Sequence, residues 1–148
     1  RMLLSGAETM VDRIIRKIKL GGFFSPSKTL MYEVTHMHPV SGGDARSITM
    51  YSDAGKRIGK MEYERNNREC KIFKITVDDW SNVAYATDLL AFFTKEMKKA
   101  RVGKVVTEVF DTDANTHGLL QVFRKAGYRV NNIGNVTGYN QYEVTWGS

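Results

Sequence analysis

Residues Glu69-Cys70-Lys71-Ile72-Phe73-Lys74-Ile75-Thr76-Val77 and Lys104-Val105-Val106-Thr107-Glu108-Val109-Phe110 decide how this chain folds. The first alternates with the two-residue period of a strand, which puts Phe73, Ile75 and Val77 on one face. The second is a β-branched run, equally suited to a pleated sheet. Between them, residues 82–101 repeat at helical spacing through Val83, Ala86, Leu89, Leu90, Phe93 and Met97, with Lys95, Lys98 and Lys99 outside the stripe and Gly103 as the stop signal. Strand, helix and strand without a hairpin joint require a right-handed crossover, so 69–77 and 104–110 are expected to lie parallel.

Upstream, residues 29–77 keep a period of two. Leu30, Tyr32 and Val34 alternate with Met31, Glu33 and Thr35, Ile48 and Met50 with Thr49 and Tyr51, and Gly59, Met61 and Tyr63 share a face. The joints at 41–44, 53–56 and 66–68 are short and rich in Gly, Asp, Asn and Ser, as hairpin turns are, so four strands form an antiparallel meander. Before the meander, Val11, Ile14, Ile15 and Ile18 predict an amphipathic helix over residues 8–20. Downstream, Leu119, Val122, Phe123 and Ala126 predict a second helix over 114–126, closed by Gly127, and two short strands follow around Arg129 and around Tyr142, Val144 and Trp146. The expected fold class is α/β (α+β): one domain over residues 2–148 with a mixed, mostly antiparallel sheet flanked by helices.

A chain of 148 residues is long enough for one core. Cys70 is the only cysteine, so no internal disulfide forms, and a reducing, cytoplasmic setting is expected. Glu8, Asp12 and Arg13 interrupt the opening apolar residues, which fits neither a signal peptide nor a membrane span. The formal charge of +6 and pI near 9.5 favour phosphate-bearing partners. Nucleic acid, a nucleotide-bearing small molecule and a merely soluble basic surface are all compatible with that charge.

The order of helix, four-stranded meander, long helix, strand, helix and two strands resembles that of the GNAT N-acetyltransferase superfamily. The stretch Asp113-Ala114-Asn115-Thr116-His117-Gly118-Leu119-Leu120-Gln121-Val122-Phe123-Arg124-Lys125-Ala126-Gly127-Tyr128 resembles that superfamily's Asn, apolar helix and Tyr-x-Lys-x-Gly-Phe ending. Lys125, Gly127 and Tyr128 match. Asn115 is one residue further from the glycine than the usual spacing, which leaves Thr116 as the other candidate.

The resemblance implies that the parallel strands splay apart at one end and that the pantetheine arm of acetyl-CoA, the acyl donor, lies in the opening against Thr76 and Val77. The family's pyrophosphate loop, Arg or Gln then x-x-Gly-x-Gly or Ala, corresponds here to Ser81-Asn82-Val83-Ala84-Tyr85-Ala86. Its small positions survive as Ala84 and Ala86, which simple helix propensity also explains. Its cation does not survive. Asn82, Val83, Ala84, Tyr85, Ala86 and Thr87, with Asn115 and Phe123, are therefore the remaining residues implied in cofactor binding.

Acyl transfer to an amine needs a base, an oxyanion donor and an acid for the leaving thiolate. Asp78 and Asp79 follow the strand and serve either as base or as helix cap. The oxyanion donor is expected near the Val77 N–H. The family's acidic tyrosine is replaced by Phe123, which leaves Tyr85, Tyr128 or water to protonate the thiolate. His36 and His38 share a strand face without a third metal ligand, Cys70 reads as core, and no nucleophile-elbow context supports a hydrolase triad. Lys95, Lys98, Lys99, Arg101 and Lys104 form the densest basic cluster, and Arg13, Arg16, Lys17 and Lys19 the next. Runs of this kind are as a rule solvated helix faces.

Two functions follow from this reading. One is an acyl-CoA-dependent N-acyltransferase acting on an amine that the sequence does not identify. The other is a catalytically degenerate module of the same fold that binds nucleic acid, as a secondary partner, or protein; no membrane partner is expected.

Overall fold

Alternating β-branched and aromatic residues build the first half of the chain as six successive strands: β1 (Met2–Leu3), β2 (Met10–Lys19), β3 (Ser27–Met37), β4 (Asp44–Ser52), β5 (Arg57–Asn66) and β6 (Glu69–Val77). Each runs antiparallel to the one before it. Then come α1 (Ala84–Lys99), β7 (Lys104–Phe110), α2 (Ala114–Lys125), β8 (Arg129–Val136) and β9 (Tyr139–Gly147). The structure is a computed structural model, and it describes residues 2–3, 10–19, 27–78, 83–112 and 114–147. The nine strands of the described residues join in one sheet of order β1-β2-β3-β4-β5-β6-β7-β9-β8, in which β6 and β7 are parallel as expected. No helix among the described residues is long and apolar enough to cross a membrane.

The helix expected over residues 8–20 is not formed where the chain is described: Met10–Lys19 is β2, paired with β3 from Val11 opposite Thr35 to Lys19 opposite Ser27. Val11, Ile14, Ile15 and Ile18 fit a helical period, but all four are β-branched and stiff at χ1, which favours an extended chain. Ile14 packs against the core opposite Tyr32, whereas Ile15 opposite Met31 is exposed.

β6 departs from expectation in a second way. Tyr63 pairs with Ile72 and Glu62 with Lys74, so Phe73 is an extra residue, a bulge that reverses the alternation. Cys70, Ile72 and Val77 are buried and Ile75 packs against the core while Phe73 is exposed, so the expectation that Phe73, Ile75 and Val77 share one face fails at Phe73.

α1 closes over the sheet through β3 and β5. Tyr32 stacks on Phe92 with ring centroids 4.3 Å apart, its hydroxyl donates to Asp88 Oδ2 at 2.6 Å, and Tyr63 meets Phe93 edge-on at 5.0 Å. At Gly59 a Cβ would stand 3.0 Å from Met50 Cε and 3.2 Å from Thr76 O, so a side chain there would crowd both.

Both helices end in the same Schellman arrangement. In α2, Tyr128 N–H donates to Phe123 O and Gly127 N–H to Arg124 O; in α1, Val102 N–H donates to Met97 O and Arg101 N–H to Lys98 O. The left-handed position is Gly127 in one and Arg101, at φ 59°, in the other. Gly103 is thus not the stop of α1, and its N–H donates to Arg68 O instead.

The loop between β3 and β4 is organised by Glu64 of β5. Its buried carboxylate accepts the N–H groups of Val40, Ser41 and Gly43 and the Asn66 side-chain amide. Burial opposes the charge, yet these donors outweigh it and hold the carboxyl below its ordinary value. Asp44 follows the same pattern: burial raises its pKa, and Arg46 and Arg65 more than reverse that. A carboxyl with a depressed folded pKa adds stability above its unfolded value and loses it as pH falls through the folded one. Thermal melts taken from neutral pH down past 4.5 should therefore show a steep acid loss, and Glu64→Gln should lower the melting temperature at neutral pH and flatten that limb.

Candidate functional site

The parallel ladder between β6 and β7 is short. It joins Glu69 to Lys104, Cys70 to Val105 and Lys71 to Val106, and no further pair follows among the described residues. Beyond that point each strand keeps only its other neighbour: β6 pairs with β5 as far as Val77, and β7 with β9 as far as Phe110. The two strands diverge, and the opening expected from the resemblance is present.

Its vertex is closed by a side chain. Thr107 Oγ1 donates to Ile72 O at 3.0 Å, which satisfies the first carbonyl that the ladder abandons. Further out, Asp78 N–H donates to Ile58 O at 2.9 Å. Main-chain groups in an antiparallel pair alternate in direction, so Thr76 and Lys74 also turn toward β5 while Ile75 and Val77 turn into the opening. The wedge is thus floored by peptide groups of Ile75 and Val77.

Two crossovers between parallel strands bring the first turns of both α1 and α2 to this same end, because each helix follows the C-terminal end of its strand. Neither first turn carries an acidic residue. Val83 occupies the N-cap of α1 and supplies no side-chain cap, so Asp78 does not cap α1. Asp78 is exposed at the end of β6. Ala84 and Tyr85 are half-buried and Thr87 is exposed, whereas Ala86 is buried in the core, so of the two small positions Ala84 alone keeps surface in this turn. Asn115 is exposed in the first turn of α2. Asp79, Ser81 and Asn82 lie outside the described residues.

Phe123 and Tyr128 are placed differently from the sequence expectation. Phe123 has no exposed surface and meets the Tyr128 ring edge-on at 5.1 Å. Tyr128 is itself buried, beyond the C-terminal end of α2, whereas the opening faces the other end of that helix. The Thr94 hydroxyl donates to Leu90 O at 2.8 Å, so Tyr128 O–H donates to Thr94 Oγ1 at 2.7 Å and its proton is committed there. Burial pushes the Tyr128 phenol up to about 12. Tyr128 therefore ties α2 to α1 and is not brought together with Asp78 and Val77. His36 and His38 are exposed, and His36 Nδ1 lies 3.7 Å from Asp44 Oδ1. No group of side chains suited to a metal ion occurs among the described residues.

Sequence reasoning missed Thr107 and Ile75. A lone hydroxyl inside a valine-rich strand is a usable signal for Thr107. Ile75 had none, since its orientation depends on the bulge at Phe73.

No family model and no curated protein matches the sequence. Solved structures do. The spermidine/spermine N-acetyltransferase of Vibrio cholerae aligns with a TM-score of 0.55 at 12% identity, over 69% of this chain and 66% of that one. The ribosomal-protein-S18-alanine N-acetyltransferase of Escherichia coli aligns at 0.53 and 18%, over 67% and 64%. A nourseothricin acetyltransferase aligns at 0.54 and 17%, over 93% and 85%. The chain thus spans just under two thirds of the first two. It has the GNAT fold, a mixed sheet with a splayed parallel pair, and at such identity the likeness concerns the fold.

If Tyr128 is a structural tie, Tyr128→Phe should cost about 1 kcal/mol of stability in denaturant titration and leave coenzyme A affinity unchanged.

Proposed function

We propose that this chain is an N-acyltransferase that takes acetyl groups from acetyl-CoA and passes them to an amine. The observation that carries the proposal is the divergence of β6 from β7 beyond Lys71 and Val106, which turns the peptide groups of Ile75 and Val77 into an opening. Such groups need partners, and the amides of a pantetheine arm supply them as a neighbouring strand would. The donor's pyrophosphate would then sit at the first turn of α1, where half-buried Ala84 allows close approach and the helix dipole favours negative charge.

The family's loop cation is absent at Ser81. Losing one charge-assisted hydrogen bond costs about 1.5 to 3 kcal/mol, or roughly one to two decades of affinity. Binding is therefore weakened and still measurable.

In the reaction the neutral amine attacks the thioester carbonyl, the Val77 N–H stabilises the developing oxyanion, and a carboxylate of Asp78 or Asp79 receives the amine's proton directly or through water. The C–S bond then breaks and the thiolate is protonated. Phe123 has no proton to give and Tyr128 is committed to Thr94, so Tyr85, half-buried in the first turn of α1, or water performs that step.

Calorimetry with acetyl-CoA tests the proposal. Binding is expected, and its absence at millimolar ligand would remove the assignment. Ala84→Glu separates the site from the fold: a carboxylate in the first turn favours the helix dipole and should leave the melting temperature unchanged or higher, while repelling the pyrophosphate and abolishing binding.

A further inference from the structure

A dense group of exposed cations lies at the end of the molecule opposite the wedge. α1 and α2 run in the same direction, so both C-terminal ends lie where β7 and β8 begin. α1 brings Lys95, Lys98 and Lys99 there and α2 brings Arg124 and Lys125, all exposed. Arg68 and Lys104 join them through the main chain, and Arg129 through its guanidinium. Lys104 N–H donates to Arg68 O at 3.1 Å, and Arg129 donates to Gly147 O at 2.8 Å, directly across from Lys104. The Lys98 ammonium stands 5.7 Å from the centre of the Trp146 ring. A groove of about 300 Å³ runs between the helices, lined by Ala91, Thr94, Lys95, Lys98 and Ala126.

Little negative charge offsets this cluster. In residues 66–71, 95–104 and 124–129 the carboxylates are Glu69 and Glu96, and Glu96 is paired with Lys99 at 3.7 Å. Basic residues in a last helical turn complement the helix dipole, which accounts for Lys98, Lys99, Arg124 and Lys125. It does not account for Lys95, Arg68, Lys104 or Arg129. Nor does it account for Arg101, which sits left-handed at φ 59° in the cap position where α2 has Gly127. A side chain there is strained, and glycine would relieve the strain.

We infer that this end of the molecule docks on the phosphate backbone of a nucleic acid, with Lys95, Arg101, Arg124 and Lys125 facing the phosphates. The chemistry of the surface selects that partner over other polyanions. Among the described residues, the large exposed hydrophobics are Ile15, Met37, Val40, Phe73, Val83, Phe110, Ile133 and Tyr139, and none lies on these segments. A lipid surface or a protein partner would be expected to meet an apolar anchor; a phosphodiester backbone needs only cations. The surface is also distinct from the proposed acyl-donor site. The sixteen residues of α1 separate the two by about 24 Å.

Fluorescence anisotropy with a short labelled RNA duplex tests the inference without any acyl donor. Binding at low salt should weaken by roughly a hundredfold between about 50 and 200 mM salt, as expected for about four neutralised phosphates. The triple variant Lys95→Ser, Arg124→Ser, Lys125→Ser should bind about a hundredfold more weakly, with a log–log salt slope shallower by about 0.9 for each phosphate no longer neutralised. Arg101→Gly should weaken binding about tenfold while its melting temperature holds or rises. Lys28→Ser, Lys56→Ser, Arg57→Ser removes the same charge from exposed positions at the wedge end and should bind like the parent. The inference is overturned by no binding at low salt, by equal weakening in that control, or by preferential binding to phosphatidylserine vesicles.

Discussion

The parallel pairing of β6 with β7 stops at Lys71 and Val106, and the rest of the site depends on that stop. A longer ladder would pair every peptide group of β6 and leave a closed sheet. Three local features hold the strands apart: Thr107 satisfies Ile72 O in place of a ladder bond, Phe73 bulges out of register with β5, and β7 bonds along its whole length to β9. The opening is therefore sustained by side-chain and bulge geometry at its vertex.

The crossovers then divide the molecule into two chemically different ends. Both helices begin beside the wedge with no acid in their first turns and end among lysines and arginines. Each end would handle phosphate by different means. At the wedge, helix amides and the small Ala84 would admit a ligand closely; at the far end, long cationic side chains would meet it from segments that carry no large exposed hydrophobic among the described residues. The tie between Tyr128, Thr94 and Leu90 keeps the helices in register, so the two ends keep a fixed relation.

Much of the fold was legible in the sequence. The alternation of Leu30, Tyr32 and Val34, the stripe from Ala86 to Met97, and Gly127 at the end of α2 each have a local physical cause, and each recurs in the structure. Local pattern failed where two periods fit the same residues. Val11, Ile14, Ile15 and Ile18 satisfy a helix on paper, and their β-branching together with pairing to β3 decides for a strand. It failed again at Phe73, because a bulge leaves no mark in a period-two run, and at Arg101, because a left-handed cap without glycine has no sequence signature. The site was legible as a pair of strands and a small-residue helix start. Which peptide groups face the opening, and that Tyr128 faces Thr94, depend on tertiary register.

Amide hydrogen exchange at individual residues of β6, followed by NMR with and without coenzyme A, measures the central claim most directly. The account predicts slow exchange at Thr76, whose N–H faces β5, and fast exchange at Ile75 and Val77 that becomes slow when the ligand is added. Slow exchange at Ile75 and Val77 in the ligand-free protein would mean that the strands are closed against each other, and would contradict it.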